Sequence, residues 1–240
     1  MPRRLRRLAM TNNDHRVPPA WMRMGEAAWL GARAWRGFGH LDARGPEDGP
    51  AALVLPGFIA NDRTTLELRR ALARSGWRVH PWDLGWNLGA KTDTVERIVK
   101  RIEQIAPDGG KLLLVGWSLG GLFAREVARA HPERVAAVVT LGSPFSGDPK
   151  LNNVWRLYER VAGHKVDAPP VPRDSSKPPV PTLAMWSRAD GIVAPIAARG
   201  QPDESDKAVE FACSHMAFGV SRRVADQVAT EIADFVKAPL

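Results

Sequence analysis

The sequence predicts an α/β domain, a mostly parallel sheet of about six strands with helices on both faces. Three observations carry that expectation. From residue 51 onward, short apolar runs alternate with longer segments of helical period, and strands that alternate with helices pair in parallel through right-handed crossovers. The runs are apolar at nearly every position rather than at every second one, as in strands covered on both sides. The chain has 240 residues, 44% hydrophobic and 25% charged, which is enough to bury one sizeable core.

Residues 1–49 stand apart from the domain expected over 50–240. Nine arginines and three acidic residues fall within residues 1–45, a local charge of +6, so only +2 of the chain's +8 belongs to the body. A basic face on the fold, as a nucleic-acid binder needs, is therefore not expected. Arg3, Arg4, Arg6 and Arg7 are followed by Leu8-Ala9-Met10 and then by polar Thr11-Asn12-Asn13-Asp14. The apolar stretch of roughly 7–15 residues that marks a secretory signal is not found there, and no run approaches the ~20 apolar residues of a membrane span. Residues Pro19 to Phe38 mix Trp21, Trp29, Trp35 and Phe38 with Arg23, Arg33 and Arg36. This spacing predicts an amphipathic helix, either packed on the domain or lying on an anionic lipid surface. The expected location is cytoplasmic, with peripheral membrane contact through residues 1–45 left open. The lone cysteine, Cys213, excludes an internal disulfide and a cysteine-based zinc cage.

In the body, Ala51 to Leu55 reads as a buried strand. Thr64 and Glu67 have capping-box spacing and open a helix through Ser75 with Leu68, Ala71 and Leu72 on its face. Trp77 to His80 is a second strand. Asp93 and Glu96 begin a helix that repeats Val95, Ile98, Val99, Ile102 and Ile105 at helical period. Lys111 to Val115 is a strand, Leu119 to Ala130 a helix and Val135 to Leu141 a strand. Pro181 to Trp186 and Ala208 to Phe211 complete the expected strands. The last helix carries Val220, Val224, Val228, Ile232 and Phe235 on one side. Residues 146–180 break the alternation with a helix over Leu151 to Val161 and a loop rich in proline (Pro169, Pro170, Pro172, Pro178, Pro179). An excursion of that length in a compact domain is usually functional.

The strongest chemical signal is Gly116-Trp117-Ser118-Leu119-Gly120, followed by Gly121. It matches G-x-S-x-G, for which this composition gives roughly 0.08 chance matches, and it stands between a strand and a helix as that motif requires. The glycines let a serine occupy a sharp strained turn that lifts its hydroxyl out of the sheet. A serine hydroxyl needs a base to become a nucleophile. Of six histidines, His15, His40 and His80 precede Ser118, His131 closes the helix that Ser118 opens, and His164 lies in the excursion. His215, after the last strand, is the expected base. Asp190, in the loop after the strand ending at Trp186, is the expected partner of its other nitrogen; Asp148, Asp203, Glu204 and Asp206 are the competitors. Backbone N–H groups of Leu119 and of Phe58, beside Gly57 in the loop after the first strand, are the expected oxyanion donors. Trp82, Trp86, Trp117, Trp155 and Trp186 fall near strand ends or in the excursion, some to line an apolar pocket and others, Trp186 first, to fill the core. Cys213 is expected as a buried inert thiol.

At these residues the chain resembles α/β-hydrolases of the bacterial lipase and carboxylesterase type. The resemblance rests on Leu53-Val54-Leu55-Pro56-Gly57-Phe58, the serine elbow with Gly121, Thr140-Leu141-Gly142-Ser143-Pro144, Ser187 to Val193 around Asp190, and Ser214-His215. It covers about residues 51–236. It implies a Ser118–His215–Asp190 mechanism without metal or organic cofactor, a small-molecule ester as substrate, and a lid formed by 146–180. The expected activity is hydrolysis of an uncharged ester with a hydrophobic acyl part through an acyl-enzyme. Thioesterase or acyltransferase activity with the same triad is the first alternative, and a non-catalytic membrane-surface or binding module the second. Two departures matter. Pro56 stands where many relatives have histidine, and residues 1–50 do not supply the first two strands of the full fold.

Overall fold

In the computed structural model, residues 11–19, 21–22, 26, 43–171 and 173–237 are described. The amphipathic helix expected over 19–38 lies mostly outside them. The strands are β1 (Ala51–Leu55), β2 (Arg78–Pro81), β3 (Leu112–Trp117), β4 (Val135–Leu141), β5 (Thr182–Trp186) and β6 (Lys207–Glu210). They form one sheet in the order β2-β1-β3-β4-β5-β6, and every neighbouring pair is parallel. The direction of build-out reverses between β1 and β3, and open α/β sheets place ligands outside the carboxyl ends of strands at such a point.

Because successive side chains of a strand point to opposite faces, an all-apolar strand feeds two cores at once. Ala52, Val54, Leu113, Val115, Val139, Leu141, Leu183 and Met185 face one side. There they meet Leu68 and Leu72 of α1 (Leu66–Arg74) and Val224, Val228, Ile232 and Phe235 of α7 (Arg222–Lys237). Leu53, Leu55, Leu112, Leu114 and Val138 face the other, against Ile98, Ile102 and Ile105 of α2 (Thr94–Ile105) and Phe123, Ala124 and Val127 of α3 (Leu119–Ala130). Among the described residues, no helix is long and apolar enough to cross a membrane.

Four local expectations are corrected. The first helix begins at Leu66 without a side-chain cap, because Thr64 Oγ1 donates to the Asn61 carbonyl instead of closing a capping box. The excursion's helix, α4, runs Trp155–Ala162 rather than from Leu151. Residues 151–154 are engaged elsewhere: Asn152 bridges Val193, and the Leu151 carbonyl accepts from Ala194 N. A short helix α5 (Pro195–Arg199), not expected from the sequence, follows. The terminal helix is two: α6 (His215–Val220) ends at an extended Ser221, and α7 starts after it, so Val220 belongs to α6.

Candidate active site

Ser118 ends β3 and opens α3 at φ 53°, ψ −121°, a left-handed backbone for a residue with a side chain. Such a conformation costs about 1–3 kcal/mol and persists only where its surroundings enforce it. They do so here by close approach. A Cβ on Gly116 would stand 2.4 Å from the Gly120 and Gly121 backbones, and one on Gly120 only 2.3 Å from the Leu55 carbonyl oxygen. Ser118 N donates to the Leu141 carbonyl at 2.8 Å, and Gly121 N to the Ser118 carbonyl at 3.0 Å.

The structure brings Asp190 and His215 together from loops after β5 and β6. His215 Nδ1 lies 2.7 Å from Asp190 Oδ2, with the two residues 2% and 1% exposed. Asp190 Oδ1 accepts from Ile192 N and Val193 N at 2.8 Å each, so the carboxylate is fixed at both oxygens. Burial pushes the imidazole toward neutrality, but the Asp190 charge, its hydrogen bond and the nearby Glu26 charge outweigh this and raise the His215 pKa above the ordinary 6.5. With Nδ1–H given to Asp190, Nε2 is the atom left to take a proton. Gly142, after β4, packs against the pair; a Cβ there would stand 3.1 Å from both Asp190 Oδ2 and His215 Nδ1. Trp117, next to the serine, donates Nε1–H to the His215 carbonyl at 3.2 Å. Among the described residues no hydrogen bond joins Ser118 to the His215 ring, and such contacts commonly tighten only with substrate bound.

Asp203 is exposed, and the other competing groups are engaged away from this pair. Asp148 Oδ1 accepts from Lys150 N, Glu204 Oε2 from Gln201 N, and Asp206 pairs with Lys177. His164 Nε2 lies 3.1 Å from the Ala90 carbonyl, and His131 Nδ1 lies 3.2 Å from Glu133. His80 sits on β2, where burial and the charges of Arg78, Arg101 and Arg44 push its pKa down to about 4.

Phe58 lies in the loop after β1 and Leu119 at the first turn of α3, on opposite sides of the β1/β3 reversal. Among the described residues neither backbone N–H has a hydrogen-bond acceptor. Gly57 brings the loop against the elbow: a Cβ on it would stand 3.1 Å from Ser118 Cβ. Asn87, which carries no motif signal in the sequence, pins this loop. Its Nδ2 donates to the Pro56 carbonyl at 2.8 Å, and its backbone pairs with Ile59 and Ala60. A cleft partly open to solvent adjoins Ser118. Phe58, Leu122, Val154, Trp155, Tyr158 and Val171 give it a largely apolar wall. Of the tryptophans, Trp155 lines the cleft, Trp82, Trp117 and Trp186 are buried in the core, and Trp86 is 57% exposed. Burial and nearby carboxylates push the Cys213 thiol up to about 12.

A second group without a sequence signal is Glu26, which accepts from backbone N–H groups of the Asp190 and His215 loops. Asp14 pairs with Arg188 of the Asp190 loop, and the Pro18 carbonyl accepts from Asn153 Nδ2, which also donates to the Gly191 carbonyl. A buried carboxylate that binds backbone 165–190 positions away leaves no pattern in its own neighbourhood.

A sequence profile of the alpha/beta hydrolase fold matches residues 35–168. The pimeloyl-[acyl-carrier protein] methyl ester esterase of Citrobacter koseri is 46% identical over 59 residues, 25% of this chain and 22% of that protein. The enzyme of the same name from Salmonella heidelberg is 40% identical over 94 residues, 38% of this chain and 36% of that protein. The chain thus spans about a fifth to a third of the length of these curated relatives. Among solved structures, the Paleococcus ferrophilus monoacylglycerol lipase superposes with a TM-score of 0.54 at 19% identity, covering 80% of this chain and 95% of that one. At that identity the likeness is one of fold.

Proposed function

Because the chain belongs to the alpha/beta hydrolase fold family, we propose that it is a serine-dependent carboxylic ester hydrolase acting on an uncharged ester with a hydrophobic acyl part. The observation that carries the reading is the buried Asp190–His215 pair at the same sheet edge as Ser118 on its strained turn. His215 Nε2 takes the Ser118 proton as Oγ attacks the ester carbonyl. The N–H groups of Phe58 and Leu119 receive the oxyanion, where preset donors are worth several kcal/mol. As the tetrahedral adduct collapses, the imidazolium gives its proton to the departing alkoxide and an acyl-Ser118 ester remains. Water, deprotonated by the same nitrogen, adds to that ester, and Ser118 leaves with the proton as the acid is released. Asp190 keeps the imidazole oriented and offsets its charge in both halves. The esterase names of the curated relatives support the reaction type, and the apolar cleft supports the acyl preference.

Hydrolysis of p-nitrophenyl acetate, butyrate, octanoate and palmitate, with Ser118→Ala as control, tests the reading. Wild type should cleave one range of chain lengths, and the variant should lose on the order of a millionfold in turnover. A folded wild type inert on all four, or an alanine variant as active as wild type, overturns it.

A further inference from the structure

Glu26 is a charged side chain only 4% exposed, and both of its oxygens are used. Oε1 accepts from Gly191 N at 3.0 Å and from His215 N at 2.8 Å; Oε2 accepts from Met216 N at 2.9 Å. Acceptance at both oxygens is the pattern of an ionised carboxylate. The three donors come from two separate loops. Gly191 follows Asp190 directly, while His215 and Met216 open α6, where backbone N–H groups lack helical partners. One carboxylate therefore ties the loop that carries the acid to the loop that carries the base. The same segment closes on Gly191 by its backbone as well: a Cβ there would stand 2.8 Å from the Met22 carbonyl oxygen. Asn153 Nδ2 reinforces the contact, donating to Pro18 O at 2.8 Å and Gly191 O at 2.9 Å.

We propose that Glu26 is a positioning residue for the Asp190–His215 pair, locking the two loops in register and placing a second negative charge beside the imidazole. The proposal deepens the ester-hydrolase reading and rests on it. The charged groups acting on the His215 ring are Asp190, from the loop after β5, and Glu26, from residues 11–26. Cys213, two residues before the histidine, is neutral. Removing the Glu26 charge lowers the stability of the imidazolium, so the ring titrates at lower pH. Removing the side chain also leaves three N–H groups, two of them in buried hydrogen bonds, without their acceptor and frees the loops.

The test compares full-length wild type, Glu26→Gln and Glu26→Ala by two readouts. One is kcat/KM for p-nitrophenyl butyrate against pH, whose acid limb reports the base of the free enzyme. The other is the NMR titration of the His215 ring, which needs no catalysis. Glu26→Gln keeps the size and most hydrogen bonds, so it should fold, with both the acid limb and the ring titration lowered by about one pH unit. Glu26→Ala should lose on the order of 100-fold in kcat with little change in KM, as misplacement of a catalytic group does. If Glu26→Gln titrates as wild type by NMR, or Glu26→Ala keeps its kcat, Glu26 only fills space and the proposal fails. If wild type cleaves no ester while the ring titration still shifts in Glu26→Gln, the ester reading fails and the electrostatic role of Glu26 stands. If Glu26→Ala does not fold, the Glu26→Gln titration decides alone.

Discussion

Ser118 is held in a left-handed backbone that its own side chain disfavours, and the glycines at 116 and 120 exist because no Cβ fits there. Steric rules of this kind are local, which is why the elbow was legible in the sequence. Asp190 and His215 were legible for a different reason: each follows a strand of a parallel sheet, so its loop must emerge at the serine's edge. Glu26 and Asn87 were not legible, because their partners are set by chain segments far away in sequence. The Asp190–His215 contact makes a directional prediction. Since the His215 pKa is raised above 6.5, kcat/KM should fall as pH drops through that raised value, where the imidazole becomes protonated and stops acting as a base. Asp190→Asn removes the carboxylate that raises it most. On the residual activity the acid limb should move to lower pH, and kcat should fall about 10⁴-fold. An unchanged acid limb in that variant would remove Asp190 from the proposed mechanism.

At the scale of elements, short apolar runs located every strand of the sheet, and the segments between them gave the covering helices α1, α2, α3 and α7. Errors gathered where tertiary partners override local pattern. Residues 151–154 continue the helical spacing of α4 yet are drawn off by Val193 and Ala194, and a Ser221 in extended backbone splits the last apolar stripe in two. The loop after β1 shows the same dependence. Its Gly57-Phe58 turn was read from the sequence, but what holds it is Asn87, 31 residues beyond Pro56. Asn87→Ala leaves the buried Pro56 carbonyl without its donor, a loss of about 1–3 kcal/mol in stability. If that loop presents the Phe58 N–H to the oxyanion, kcat should also fall, by about tenfold, with KM nearly unchanged. Steady-state kinetics with a thermal melt check both; lowered stability with wild-type kcat would make Asn87 a structural residue only.

The whole molecule assembles its candidate site from ends of the chain that are remote in sequence. The parallel sheet gathers the loops after β1, β3, β5 and β6 at one edge, and Asp14 and Glu26 brace the last two from outside. The regular alternation of elements made the parallel sheet readable, while its strand order and reversal point came only from the structure. The bracing contacts were unreadable, because residues 1–49 show a charge bias but no period that fixes where they dock. In the proposed mechanism this assembly turns Ser118 into a nucleophile. Reaction of the full chain with a fluorophosphonate, followed by intact-mass measurement and peptide mapping, tests it most directly. A single adduct is expected on the peptide containing Ser118, absent in Ser118→Ala and strongly slowed in His215→Ala. A folded chain that takes no adduct, or takes it at another residue, would contradict that mechanism.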